Sequence, residues 1–293
     1  MSVNSFTKHE PLIFKTGSNI KLIHRAEYCK SIIADGKELI TGNESGEIRV
    51  PELKDEKVYI TFKDDVTDLS YAFFGCTVTS IPENLFANNP KVTDFDDTFE
   101  GCTSLKSIPE QLFANCSNVK SFSSIFSNCS SLQSIPENLF AKNPEVTDFS
   151  YTFSYCYSLE SIPENLFANN PKVTDFSGTF WKCSALKSLP ENLFANNPKV
   201  TDFDDTFFCC TSLKSIPAGL FDNNRKVTNF EGTFYGCSAL TGESPYTMID
   251  GQKVHLYERG NYPDHFTKPI NFWYCFKNCT GLTDYAQITS YWK

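Results

Sequence analysis

The chain has 293 residues, of which 40% are hydrophobic and 21% are charged, and its formal net charge is −9. This composition is typical of a folded chain and argues against intrinsic disorder. A surface of negative sign repels phosphate groups, and no basic stripe interrupts it, so we expect neither nucleic-acid binding nor docking to anionic membranes.

Residues 1–65 form the first predicted unit, a β-rich N-terminal module. Strand-like segments at 19–23, 31–40, 47–51 and 57–63 are separated by Asp-Gly, Gly-Asn and Ser-Gly turn signals. We expect this module to cover the first coil of the repeat array that follows, with attachment to a cell surface or particle as the alternative role.

The first ten residues contain no apolar stretch of signal-peptide length, and no run in the chain approaches the length of a membrane span. We therefore expect no membrane insertion. An exported protein with this sequence would be a trimmed form or would use another route.

A tandem repeat with a period of about 27 residues fills residues 66–241. Each unit reads approximately VTDFxxTFxxCxxLxSIPENLFANNPK. A period of this length is the signature of a solenoid, in which each coil buries its apolar edge against its neighbours. The units begin at Val66, Val92, Val119, Val146, Val173, Val200 and Val227, with one spacing of 26 residues and five of 27.

Phenylalanine marks the predicted core of the array. The chain contains 27 Phe but only 2 Met and 3 Trp, as expected if similar cross-sections stack on one another. The repeat aligns 19 of these Phe in three ladders, which we expect to be buried. The ladders are Phe95, Phe122, Phe149, Phe176, Phe203 and Phe230; Phe73, Phe99, Phe126, Phe153, Phe180, Phe207 and Phe234; and Phe86, Phe113, Phe140, Phe167, Phe194 and Phe221.

Within a unit, the segment from Leu105 to Ile108 predicts a short strand that the following proline stops. Pro109 fits the first position of a helical turn, Glu110 suits the positive end of the helix dipole, and Asn115 fits its end. The second half of the unit predicts another extended segment and another short helical turn.

The period breaks at Thr241, and residues 242–293 form the predicted C-terminal cap. A polar stretch at 242–269 reads as a long inserted loop, and residues 272–282 then restore half a unit. We expect this region to close the far end of the array, with recognition by the loop as the alternative.

The tandem combination of VTDF, TFxxC and CxxLxSIP resembles the BspA-like leucine-rich-repeat proteins, a surface-protein repeat of Bacteroidetes, firmicutes and mycoplasmas. The resemblance covers residues 66 to about 241 and a partial copy near the C-terminus. It implies an α/β repeat: a right-handed leucine-rich-repeat-like solenoid of about seven coils, with short parallel strands and short helical turns. It also implies adhesion and recognition by a protein displayed at the cell surface or outside the cell, and it brings no catalytic motif.

The cysteines and histidines have structural explanations. Eight of the twelve cysteines occupy one repeat position, which favours buried free thiols over disulfides or a zinc site. The four histidines lie outside the array without a nucleophile or metal motif, so we expect no enzyme, no metal and no cofactor. The eight cysteines are Cys76, Cys102, Cys129, Cys156, Cys183, Cys210, Cys237 and Cys279.

Two acidic clusters occur in the array, and we expect them to be a solvated acidic face, with calcium binding as the alternative. One contains Asp94, Asp96, Asp97 and Glu100, and the other contains Asp202, Asp204 and Asp205.

Positions that vary from unit to unit are the better guide to recognition, because the repeat does not dictate them. Two such columns, and Tyr155 next to them, carry aromatic residues that we expect to be exposed and to contact a protein or glycan partner, although packing on the adjacent coil is the alternative. The candidate binding residues are Tyr71, Tyr151, Tyr155, Trp181 and Tyr235.

The sequence therefore predicts a non-catalytic adhesion module that engages a host protein or surface glycan. The alternative is a structural or virion-associated component, as in a phage, attached through residues 1–65. The absence of an export signal favours this alternative, and the family resemblance favours the first hypothesis.

Overall fold

A computed structural model describes residues 10–40 and 43–293. The prediction made for the N-terminal export region falls mainly on residues 1–9, which lie outside the described residues. The division into units at 1–65, 66–241 and 242–293 stays a prediction.

The N-terminal module consists of short strands, most of which the sequence predicted. The segment predicted at 31–40 is a hairpin rather than one strand, with its turn at Asp35 and Gly36. The first strand was not predicted. The strands are β1 (Leu12–Phe14), β2 (Gly17–Ile23), β3 (Cys29–Ala34), β4 (Lys37–Glu38), β5 (Ile48–Leu53) and β6 (Lys57–Phe62).

This module is joined directly to the first coil. Strand β1 pairs antiparallel with β7 (Val78–Ser80) of that coil, in a five-stranded sheet of order β4-β3-β6-β1-β7. Phe62 of β6 extends a phenylalanine ladder backwards, with its ring centroid 5.7 Å from that of Phe86. The buried apolar residues of the module and the array form one continuous cluster. The sheet therefore covers the apolar edge that the first coil would otherwise expose to solvent.

The array is a stack of coils in register, that is, a leucine-rich-repeat-like solenoid. Backbone hydrogen bonds run from coil to coil, as from Thr93 N to Thr67 O at 2.9 Å and from Leu69 N to Asp94 O at 2.9 Å. In the second extended segment of each unit the predicted parallel strands are reduced to single-residue bridges, which follow one another through Asp68, Asp94, Ser121, Asp148, Asp175, Asp202, Asn229 and Asn271. The strand predicted at 105–108 does not form, although its counterpart in the first coil is β7.

The prediction of short helical turns was wrong. At the proline of each unit the chain makes turns with bonds from residue i to i−3, as from Ala114 N to Gln111 O at 3.1 Å. Within the described ranges there is no α-helix, and the 3₁₀ helices are Ala26–Tyr28 and Leu256–Asn261. The segment between Pro109 and the next extended stretch is too short for the hydrogen bonds of an α-helix to offset the free-energy cost of starting one.

The three phenylalanine ladders are confirmed as the core. All 19 rings are at most 1% exposed. In one ladder the rings of Phe73 and Phe99 stack with centroids 5.1 Å apart and planes within 4°. Rings of neighbouring ladders are also in contact: the ring centroids of Phe140 and Phe149 lie 4.7 Å apart. Each buried ring contributes roughly 1.5 to 3 kcal/mol.

Buried polar side chains also stack between coils. Asn170 donates from Nδ2 to the carbonyls of Phe140 at 3.1 Å and Asn143 at 2.9 Å, and Asn197 and Asn224 repeat this contact. The ladder cysteines behave similarly, because Cys156 Sγ donates to the Phe126 carbonyl at 3.3 Å. All the cysteines are free thiols, in agreement with the sequence.

The C-terminal insertion is not the loop that we expected. It contains a hairpin of β8 (Tyr246–Ile249) and β9 (Gln252–His255), followed by the second 3₁₀ helix. Arg259, which is 3% exposed, donates to the carbonyls of Asn224 at 3.2 Å and Phe221 at 2.8 Å. The guanidinium thus makes the contacts that the next ladder asparagine would make, and so it ends the asparagine ladder.

The partial repeat after the insertion adds one more layer to the stack. Phe276 stacks on Phe234 with ring centroids 5.7 Å apart. The last residues then take the place of a further coil, because Tyr274 N bonds to Tyr291 O at 3.1 Å and Phe276 N to Trp292 O at 2.7 Å. These two bonds pair backbone groups at the end of the stack that a further coil would otherwise pair.

Candidate functional site

Two positions in each coil have a left-handed backbone. One column has φ between 51° and 62°, and the other between 56° and 71°. The first column had been interpreted as free of constraint from the fold, and this was wrong: its backbone conformation is fixed, although its side chain is not. The columns are Tyr71, Asp97, Ser124, Tyr151, Gly178, Asp205, Gly232 and Tyr274; and Gly75, Gly101, Asn128, Tyr155, Lys182, Cys209, Gly236 and Asn278.

Four of the five candidate binding residues lie close together on this face. The rings of Tyr151 and Tyr155 lie 5.9 Å and 4.9 Å from that of Trp181. Trp181 lies 5.9 Å from Phe208, and Phe208 stacks on Tyr235 at 4.6 Å with planes within 6°. We call Tyr151, Tyr155, Trp181, Phe208 and Tyr235 the aromatic belt.

The belt crosses four successive coils, and its side chains are partly buried by one another rather than fully exposed as predicted. The indole Nε1 of Trp181 is buried and contacts no hydrogen-bond acceptor among the described residues. Phe208 was in a variable column but was not chosen as a candidate, and the sequence signal for it was that column itself.

Tyr71 lies apart from the belt. It is 40% exposed, and its ring contacts Phe74 at 5.9 Å. The next two coils carry Asp97 and Ser124 at its column position, so they separate it from Tyr151. Tyr71 therefore belongs to a different part of the same face.

Two lysines lie on the rings of this face. Lys182 Nζ lies 4.9 Å from the ring centre of Tyr155 and 5.1 Å from that of Trp181. Lys277 Nζ is 5.8 Å from the ring of Tyr235 and 4.2 Å from the ring of Tyr274, which continues the aromatic surface toward the C-terminal end. The belt rings thus already bind ammonium groups from within the chain.

Two glycines of the first column provide room for side chains of the preceding coil. A Cβ added to Gly178 would lie 2.3 Å from Cε1 of Tyr151. At Gly232 it would lie 2.0 Å from a carboxylate oxygen of Asp205 and 3.6 Å from the ring of Phe208. Tyr151 and Asp205 therefore lean across the next coil instead of pointing straight into solvent.

The second acidic cluster adjoins the belt and is half-buried, which corrects the expectation of a solvated face. Burial, followed by the charge of Asp205, raises the pKa of Asp204 to about 7. Burial and the nearby Glu231 raise the pKa of Asp205 to about 6. Burial raises the pKa of Tyr151, and the charges of Asp204 and Asp205 raise it further, which places the belt within the field of these carboxylates.

In the first acidic cluster, hydroxyl and amide groups of the chain bind Asp96, as Asp204 N and Asn229 Nδ2 bind Asp202 in the second cluster. Ser121 Oγ donates to Asp96 at 2.5 Å, and Ser123 N donates to the same oxygen at 3.0 Å. Burial still raises the pKa of Asp96 to about 6. In the described part of the chain, no group of three or more His, Cys, Asp or Glu residues has an arrangement suited to a metal ion.

A buried serine, histidine and aspartate meet in the C-terminal cap. Ser244 Oγ lies 3.0 Å from Nδ1 of His255 and 2.5 Å from Asp284, and the same Nδ1 lies 3.4 Å from Asp284. In a catalytic triad the serine and the aspartate contact opposite ring nitrogens. Here they share one nitrogen and Ser244 is fully buried, so the cluster ties the insertion to the last coil.

Comparison with known sequences places the chain in a family. The sequence profile of a family described as "Mycoplasma protein of unknown function, DUF285" matches residues 67–193 and 147–260, which together cover more than half of the chain. The chain belongs to the DUF285 family. The finer BspA-like assignment stays a prediction, and no curated protein matches this DUF285 chain.

Several solved structures resemble this DUF285 protein. A leucine-rich repeat protein from Bacteroides ovatus is 22% identical, with coverage of 78% of this chain and 70% of that one and a TM-score of 0.25. A leucine rich cell surface protein from Faecalibacterium prausnitzii is 17% identical, with coverage of 79% and 87% and a TM-score of 0.21. Toll from Drosophila, in complex with Spatzle, is 18% identical, with coverage of 60% and 33% and a TM-score of 0.26.

This DUF285 chain spans about a third of the length of the Toll chain and of a TLR13 chain that also resembles it. In residues 10–40 and 43–293, no helix combines the length and the apolar character that crossing a membrane requires.

Proposed function

We propose that this DUF285 protein is a non-catalytic binding module that presents the aromatic belt, on a rigid solenoid, to a host protein or surface glycan. The observation that carries the proposal is the contiguous contact of five aromatic side chains across four coils. Large aromatic residues are enriched at the energetic centres of interfaces, where they contribute contact area at a low cost in side-chain entropy.

The belt is held in place before any partner binds. The backbone of each belt residue is bonded to a neighbouring coil: Tyr151 N donates to Ser177 O at 2.8 Å and Tyr155 N to Trp181 O at 2.7 Å, and the carbonyls of Phe208 and Tyr235 accept bonds from the preceding coil. A surface fixed in this way loses little conformational entropy on binding. Rigid display is therefore the mechanism that we propose.

The belt also carries costs that the fold does not require. Tyr151 and Tyr155 have left-handed backbones, which cost roughly 1 to 2 kcal/mol each in residues with a bulky side chain. The buried indole N–H of Trp181 without an acceptor costs about 1 to 3 kcal/mol. Such costs concentrate at functional sites, and a partner's acceptor oxygen could relieve the second of them.

We propose further that the stack is right-handed with about seven complete coils, and that the protein acts at the cell surface or outside the cell. We propose that residues 1–65 and 242–293 cap the two ends. The virion-associated alternative stays a prediction, because no observation on the described residues favours it.

The test compares serine variants with a matched control. Ser124 occupies the position of Tyr151 one coil earlier. Ser154 and Ser127 occupy the position of Trp181 one and two coils earlier. Tyr151→Ser and Trp181→Ser therefore introduce a residue that the repeat already accommodates there. Tyr71→Ser changes the same column outside the belt and serves as the control.

Binding of the full chain would be screened on glycan and protein arrays, and affinities would be measured for the ligands found. Each belt variant should weaken binding by at least about tenfold, while the control stays within about twofold. Thermal unfolding monitored by circular dichroism checks the fold. Unchanged affinity in both belt variants would refute the proposal.

A further inference from the structure

We propose that the belt binds a basic segment of a protein partner, with lysine or arginine side chains placed between the rings of Tyr151, Trp181 and Phe208 and the carboxylates of Asp204, Asp205 and Glu231. This inference rests on the proposed function and specifies the chemistry of the partner.

The carboxylates lie at the belt itself. The charges of the Asp204 and Asp205 carboxylates act on the Tyr151 hydroxyl, and the backbone of Asp204 is bonded to Gly178, the glycine that the Tyr151 ring lies across. A carboxylate oxygen of Asp205 and the ring of Phe208 both approach Gly232. The acids and the rings therefore form one surface rather than two neighbouring ones.

The acids of the belt have no cationic partner in the part of the chain that the structure describes. Among the described residues, Asp204, Asp205 and Glu231 form no salt bridge, and the charges that act on Asp204 are those of other acids. Elsewhere in the array acids do pair between coils: Glu145 lies 2.6 Å from Lys172. The belt thus has crowded, half-buried negative charge that a cation from outside would neutralise.

The rings suit the same ligand. An ammonium or guanidinium group is attracted to the face of Trp, Tyr or Phe within about 6 Å, and Lys182 already uses the rings of Tyr155 and Trp181 in this way. A ring face beside a desolvated carboxylate binds a cation through both contacts at once. Charge complementarity therefore selects a cationic ligand.

The repeat spacing suits an extended peptide. Asp204 and Glu231 occupy equivalent positions of successive coils, and backbone strands paired in register lie about 4.8 Å apart. In an extended segment, side chains on one face recur about every 6.7 Å. Flexible lysine and arginine side chains can span the difference of about 2 Å between this spacing and the spacing of the coils. A neutral sugar could stack on the rings but would leave the carboxylates without a counter-charge.

The test uses the full chain and a fluorescent octapeptide of alternating lysine and serine, with an alternating glutamate and serine peptide as the negative probe. Affinity is measured by fluorescence anisotropy at low ionic strength, where exposed charges are least screened. At about pH 8, above the pKa values of about 7 and about 6 of Asp204 and Asp205, Asp204→Asn with Asp205→Asn removes two charges from the belt. Asp96→Asn with Asp97→Asn removes two charges from the same two columns at the other end, and is the matched control.

We expect the belt double variant to lose at least about tenfold in affinity and the control less than about threefold. Equal losses in the two variants would mean non-specific attraction to an acidic protein and would overturn the inference. So would binding of a neutral glycan that needs Trp181 but not the two aspartates, an outcome that would leave the proposed function intact. If Trp181→Ser bound both the basic peptide and the glycan with unchanged affinity, the result would instead count against the proposed function itself.

Discussion

Replacement of Gly178 by alanine tests why the belt has its present shape. Two reasons for this glycine compete, since its φ is 56° and an added Cβ would lie 2.3 Å from the ring of Tyr151. The first reason is backbone conformation, and the second is space. Other coils place Asp97, Ser124 and Asp205 at the same φ, so conformation alone does not require glycine here.

The two reasons predict different double-variant results. A left-handed backbone costs an alanine roughly 1 to 2 kcal/mol, and overpacking against Tyr151 costs about 1 to 3 kcal/mol more. Gly178→Ala should therefore lower the free energy of unfolding by about 2 to 5 kcal/mol. In the Tyr151→Ser background the overpacking disappears, so the same change should cost only about 1 to 2 kcal/mol.

The assay is urea denaturation of wild type, both single variants and the double variant, monitored by circular dichroism. The coupling energy of this cycle should be about 1 to 3 kcal/mol. A coupling near zero would show that Tyr151 moves aside freely and that Gly178 serves backbone conformation alone. In that case the belt would be a mobile surface, and the argument from rigid display would fail.

Two further predictions concern titration and thiol reactivity. The folded-state pKa of Asp204 is raised from 3.8 to about 7, so the unfolded chain releases a proton in that window that the folded chain retains, and stability falls as pH rises. The stability of Asp204→Asn relative to wild type should therefore increase between about pH 4 and about pH 7, and equal thermal shifts at all pH values would contradict this. For thiol labelling, Cys209 is partly exposed while the other eleven cysteines are buried, and burial raises the pKa of the Cys209 thiol as it does those of the buried thiols. One thiol per chain should thus react under native conditions and all twelve only on unfolding, and rapid reaction of several native thiols would refute the ladder geometry.

The stacking of the array was predictable because its cause is visible in the sequence. When like residues recur at a fixed period, a structure that places them above one another satisfies every unit by the same contact, as the rings of Phe140 and Phe167 do at 6.3 Å. The prediction of helical turns was wrong for a physical reason. Proline and glutamate favour the start of a helix, but the segment ends before enough i to i−4 hydrogen bonds can form to offset the cost of nucleation.

The C-terminal hairpin was missed although its signal was present. Asp250 and Gly251, with φ of 49° and 79°, form the turn, and Asp-Gly between two extended segments is a strong hairpin indication. The surrounding polar residues obscured the alternation of the strands. Strand β1 had too little length to predict, because its three residues are defined by pairing with β6 and β7.

The left-handed columns explain both what sequence patterns revealed about the site and what they did not. Gly75, Gly101 and Asn128 show the preference that such a backbone imposes, and this mixture of glycine and asparagine was the available signal. In the next three coils the same column carries Tyr155, Lys182 and Cys209, which the backbone does not favour, before Gly236 and Asn278 restore the preference. The sequence repeat shows which residues share a column, but a left-handed tyrosine has no local sequence signal, because tyrosine rarely adopts that backbone conformation.

That change along one column is the strongest reason to separate the belt from the rest of the face. If folding were the only constraint, the column would be expected to keep glycine or asparagine, as its first three members do. Instead, Tyr155 and Lys182 adopt an unfavourable backbone where both side chains contact the Trp181 ring and where, among the described residues, the neighbouring acids form no salt bridge. Since neither feature improves the packing of the core, the local free energy they cost is best explained by what the surface contacts outside the chain.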